Sequence, residues 1–111
     1  MRNTLRNLIG AEIKKIVKTH DYWQIELDIG GVNCYNPLYH CVKNNSHLFE
    51  ADFCSEYIGK KIVKIVYKDK KHLTMKFGRK RKLVISLLDQ DWAGPEAFSV
   101  HMISGATIVV N

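Results

Sequence analysis

Apolar and polar residues alternate most cleanly between Tyr22 and Ile29. Trp23, Ile25, Leu27 and Ile29 share one parity; Tyr22, Gln24, Glu26 and Asp28 share the other. A period of two places successive side chains on opposite faces of a strand, so one face is predicted to be buried and the other wet. The pattern recurs in His72–Phe77, where Leu73, Met75 and Phe77 oppose His72, Thr74 and Lys76, and again in Arg81–Leu87. Ala11–Thr19 reads as a charged strand with Ile13, Ile16 and Val17 apolar. His20-Asp21 reads as a tight turn and Gly30-Gly31 as a hairpin turn, after which Val32–Tyr35 pairs back. Before these, residues 1–9 read as a short helix or arm with Leu5, Leu8 and Ile9 at helical spacing.

The stretch Asn36–Glu56 breaks the alternation with Pro37 and Asn44-Asn45 and is expected to be a long connection with one helical turn. The first pattern then returns. Ile58-Gly59-Lys60-Lys61-Ile62 echoes Ile9-Gly10-Ala11-Glu12-Ile13, and Leu73, Met75 and Phe77 echo Trp23, Ile25 and Leu27 after a shift of one residue. Gly78–Arg81 takes the place of the Gly30-Gly31 turn. Two further strands are expected at Ala97–Met102 and Ala106–Val110. No helical crossover separates the strands, so antiparallel pairing is expected. The expected fold is mainly β, with α+β as the alternative class. It is a sandwich or partly open barrel of about eight strands, built from a duplicated three-stranded meander. Residues 1–111 are expected to form one domain.

Charge changes this picture. The chain carries +6 overall, yet the segment Lys60–Lys82 holds eleven Lys or Arg against the single acid Asp69, while the remainder is net acidic. One strongly basic block therefore sits in a mildly acidic body. Lys64 and Lys68 share one strand face, Lys76 lies opposite the apolar face of its strand, and Arg79, Lys80, Arg81 and Lys82 make a cationic hairpin tip. Such a block suits phosphates, or an acidic protein patch, or no partner at all, as a solvated face that guards a sheet edge against aggregation. The outward stacking candidates for nucleic acid are Tyr67 and Tyr22. The counterpart acids, Asp89 and Asp91 with Glu50, Asp52, Glu56 and Glu96, fall in connections, where recognition residues concentrate.

Other chemistry is weakly supported. His40, Cys41, His47 and Cys54 lack the paired spacing of a zinc site, and the expected reading is an exposed histidine beside a small buried cysteine. Adjacent His40 and Cys41 should point to opposite faces of a strand, which argues against a thiol–base pair. No phosphate loop, nucleophile elbow or HExxH motif occurs. No cofactor or metal is expected. Three cysteines, an odd number without CxxC spacing, read as reduced thiols, and no run of 18 uncharged apolar residues occurs. A cytoplasmic location without membrane contact follows as an expectation.

Two short motifs add a resemblance. Asp91-Trp92-Ala93-Gly94-Pro95-Glu96-Ala97-Phe98 and Tyr35-Asn36-Pro37-Leu38 resemble segments of small bacterial immunity proteins of polymorphic-toxin and contact-dependent growth-inhibition systems. That resemblance implies a non-enzymatic protein that binds and neutralises a cognate toxin domain in the cytosol. It transfers no catalytic or binding residue, because immunity proteins share a task and not a fold. The residues expected to contact a toxin are Lys64, Lys68, Lys76, Arg79, Lys80, Arg81, Lys82, Asp89 and Asp91. The alternative function is a nucleic-acid-binding β module using residues 60–82.

Overall fold

Ten strands form two antiparallel sheets in the computed structural model, which describes residues 5–92 and 94–110. The strands are β1 (Ile13–Thr19), β2 (Tyr22–Leu27), β3 (Gly30–Cys34), β4 (Leu38–Val42), β5 (Asn45–Leu48), β6 (Lys64–Lys68), β7 (His72–Phe77), β8 (Arg81–Ser86), β9 (Phe98–Met102) and β10 (Thr107–Val110). The first sheet runs β1-β2-β3-β9-β10 and the second β5-β4-β8-β7-β6, and neither closes into a barrel. The mainly β expectation holds. The alternating residues Ile25, Leu27, Leu73, Met75, Phe77, Leu83 and Ile85 are buried in one core shared by both sheets.

Three expectations are corrected. The count is ten strands, because Asn36–Glu56 is not a connection: it contains β4, β5 and the 3-10 turn Ala51–Glu56. β5 escaped notice because all four of its residues are exposed, so no alternation marks it. The β2–β3 turn is Asp28-Ile29, and Gly30-Gly31 lie inside β3 opposite Leu27 and Glu26. Gly30 is glycine for packing. Its φ is +155°, and a Cβ there would lie 1.9 Å from the His101 carbonyl oxygen of β9. Finally, Trp23 is only half-buried; it edges onto Phe49, with ring centroids 4.8 Å apart. The arm at residues 1–9 falls partly outside the described residues; Leu5 and Leu8 are buried.

The internal repeat is larger than a three-stranded meander. Gly10 N–H donates to Ile62 O, and Gly59 N–H, 49 positions on, donates to Ile13 O, which itself lies 49 positions before Ile62. Ile13 N–H to Lys60 O and Ile62 N–H to Ala11 O are reciprocal in the same way. Glu12 and Lys61, also 49 apart, form the bridge at the centre. Both glycines sit at positive φ, +92° and +83°, where other residues are strained. Beyond the meanders, Leu38 pairs with Ile85 and His40 with Leu83, just as Phe98 pairs with Cys34 and Val100 with Val32. Each repeat is therefore five strands, and each gives its last hairpin to the sheet of the other.

Candidate functional site

The repeat provides an internal comparison for every surface position. On the outer face of the second sheet, Lys64 lies directly opposite Lys76, and Lys76 directly opposite Lys82. Directly opposed cross-strand side chains start about 5 Å apart, and like charges there are destabilising. The equivalent row of the first sheet is Lys15, Glu26 and Gly31, in which the one cation faces an acid. The strand geometry thus places no demand for three lysines; that row is charged in one repeat and balanced in the other. Next to it runs a less polar row, Val66, Thr74, Val84, Tyr39 and Leu48, joined register by register. Leu48 is 58% exposed.

The ladder continues into the β7–β8 turn. Lys43, Lys76, Arg79, Lys80, Arg81 and Lys82 line a cleft of about 250 Å³ around Gly78. Lys43, from the β4–β5 turn, belongs to the other repeat and joins because the hairpins are exchanged: its N–H donates to Lys80 O. Nothing in the local sequence around Lys43 signals this. Among the described residues, the acid reaching these cations is Glu56, whose carboxylate accepts from Arg81 Nε at 3.0 Å.

Behind Arg81 lies a buried polar chain. His40 on β4 is 3% exposed, not at the surface as expected. Its ring stacks on Phe53, with centroids 4.1 Å apart. Its Nδ1 bonds the Tyr57 hydroxyl, which donates to Lys82 O, and its Nε2 lies 3.7 Å from Glu56. Burial pulls the His40 pKa below the ordinary imidazole value, against the Glu56 carboxylate, which raises it, and the Arg81 and His47 charges, which lower it further. Burial pushes the Tyr57 hydroxyl well up. His40 and Cys41 do point to opposite faces: Cys41 Sγ bonds Ser46 on the outer side. Among the described residues no three His, Cys, Asp or Glu side chains gather as metal ligands. The three cysteines are free thiols, and among the described residues no helix is long and apolar enough to cross a membrane.

The remaining expected contact residues lie apart from the ladder. Lys68 sits in the row at the other end of the sheet, opposite His72, which pairs with Ser86. The Ser86 hydroxyl donates to Asp91, and Asp89 is exposed in the 3-10 turn Asp89–Asp91. Tyr67 packs against the core, and Tyr22 sits on the first sheet, its ring tilted against that of Tyr35 with centroids 4.8 Å apart. The two motifs of the immunity resemblance meet. Tyr35 and Asn36 N–H groups both donate to Ala97 O, and the Asn36 amide donates to Ser86 O. These motifs therefore tie the crossing where the chain leaves one sheet for the other. No known protein family, curated protein sequence or solved structure matches the chain.

Proposed function

We propose that the protein acts by binding, as an immunity-type neutraliser of a cognate toxin domain in the cytoplasm, and that the outer face of its second sheet docks an acidic surface of that domain. The observation that carries this reading is the uncompensated ladder Lys64, Lys76, Lys82, retained beside a partly apolar row that includes exposed Leu48. A low-polarity strip flanked by charge matches the composition of protein interfaces, where a desolvated centre supplies affinity and rim charges speed encounter. A nucleic-acid backbone is the second occupant these cations suit. It is the second reading because Tyr67 faces inward and Tyr22 is on the other sheet, which leaves half-exposed Tyr39, in the adjacent row, as the ring beside the ladder, whereas single-strand binding sites stack successive bases on several rings.

The test is co-purification with a toxin-domain fragment from the genes adjoining this one, where an immunity partner is expected, followed by binding kinetics at two salt concentrations. Replacing Lys64, Lys76 and Lys82 with Gln should slow association about tenfold and change dissociation little. In parallel, duplex and single-stranded DNA and RNA are titrated at physiological salt. Sub-micromolar nucleic-acid affinity, with a salt slope near −0.9 per phosphate contact and no toxin binding, would replace the first reading with the second.

A further inference from the structure

We propose that Arg81 is the anchoring cation of the cleft at the β7–β8 turn, and that buried His40, acting through Glu56, is a positioning residue that sets whether the Arg81 guanidinium is free to meet a partner carboxylate. This rests on the cationic-face reading above and assigns the residues that control it.

The other repeat builds the same architecture without the buried chain. The position of His40 is filled in the other repeat by Val100, that of Tyr57 by Leu8, and that of Arg81 by Gly30. Val100 and Leu8 are fully buried, so the same sites are packed with hydrocarbon where no charged cleft lies above them. Burying imidazole and phenol in their place costs free energy unless every polar atom is satisfied. The polar version occurs in the repeat whose β7–β8 turn bears the cations.

The hydrogen bonds define how the chain works. The Lys82 carbonyl only accepts, so the single Tyr57 hydroxyl proton points to it. The hydroxyl oxygen then accepts from His40 Nδ1–H, which assigns the tautomer. The bare Nε2 of neutral His40 is left facing the Glu56 carboxylate across 3.7 Å. In that state the carboxylate has one cation partner, Arg81 Nε at 3.0 Å, and holds it back from the cleft. A proton on Nε2 gives Glu56 a second, buried cation partner. The carboxylate is then satisfied from below, and Arg81, its side chain 38% exposed, turns to an anion above. The charged or titratable groups facing His40 are Glu56 and Tyr57 from the 51–57 segment, Arg81 from β8, and His47 from β5, while Lys82 contributes its backbone carbonyl alone. A proton below and an anion above are each favoured by the other, so the linkage is reciprocal.

The experiment uses the intact protein and a fluorescent octa-aspartate peptide at pH 7.5 and 5.5 at constant ionic strength. Wild-type affinity should rise about fivefold or more across this interval. His40→Gln keeps a donor for Tyr57 and does not titrate; it should match wild type at pH 7.5 within about twofold and lose most of the rise. Arg81→Gln should weaken binding at pH 5.5, where the guanidinium is free, more than at pH 7.5, and should abolish the rise, and Arg81→Lys should restore charge without restoring the pH response. NMR titration of the His40 ring should show its pKa moving up when peptide is bound. If His40→Gln does not fold, the pair His40→Val with Tyr57→Leu reproduces the packing of the other repeat and serves instead. A pH response unchanged in the His40 variant, or a His40 pKa indifferent to peptide, overturns the inference while leaving the cationic face intact. No peptide binding by wild type at either pH overturns both.

Discussion

Lys76 stands between two lysines, so removing its charge should make the fold more stable. With ammonium groups about 7 Å apart across neighbouring strands, each repulsion amounts to about 0.6 kcal/mol in the dielectric of water. A Debye length of about 8 Å at physiological salt reduces it to about 0.25 kcal/mol. Lys76 is half-buried and makes two such pairs, with Lys64 and with Lys82. A lower local dielectric raises the total to about 0.5–1 kcal/mol. Lys76→Gln should therefore raise the urea midpoint at unchanged slope, and 1 M NaCl, with a Debye length of about 3 Å, should erase most of the gain. The equivalent change in the first sheet, Glu26→Gln, removes an attraction to Lys15 and should be neutral or slightly destabilising. If Lys76→Gln is destabilising, or its effect is the same at both salt concentrations, the ladder is not under electrostatic strain, and the argument that it is kept for binding fails.

Gly30→Ala should cost at least about 2 kcal/mol, because its Cβ meets a carbonyl carbon-and-oxygen wall on β9; a thermal melt within about 2 °C of wild type would contradict the close packing of β3 on β9. Leu83→Ala, at a site with no exposure, should cost about 3 kcal/mol in urea titration, whereas Trp23→Ala, half-buried, should cost less than the same truncation in the core. Stability should also fall on acidification. His40 is held below its unfolded pKa of about 6.5, so its neutral form stabilises the fold above that pH, and the contribution is lost as pH drops through 6.5 toward the folded value. His40→Val with Tyr57→Leu should flatten that slope in pH-dependent denaturation; an unchanged slope would assign the loss to other groups.

The fold was legible where burial is one-sided. Strands β2, β7 and β8 alternate, and their inward residues were readable directly from parity, as was the echo of Ile9-Gly10 in Ile58-Gly59. Strand β4 was opaque because Leu38, His40 and Cys41 are all buried, on both parities. In sequence His40 reads as exposed and Cys41 as buried, and the structure buries both. The cationic block was visible by counting. Lys43 was not, since it comes from the other repeat, nor was the burial of His40, which depends on Tyr57 and Glu56 arriving from 17 and 16 residues away. The exchange of hairpins carries no local signal at all; only the long-range registers reveal it.

That exchange dictates the order in which the protein is completed on the ribosome. When the chain has been made as far as residue 60, the β4–β5 hairpin exists but its neighbour β8 does not, and the outer edge of β3 waits for β9. The nascent half bears a bare strand edge and an unseated hairpin, the two features through which strands recruit strangers. Closure comes only after Phe98–Met102 emerges, so folding is a late, all-or-none event with widely separated contacts, and a slow one for a chain of this size.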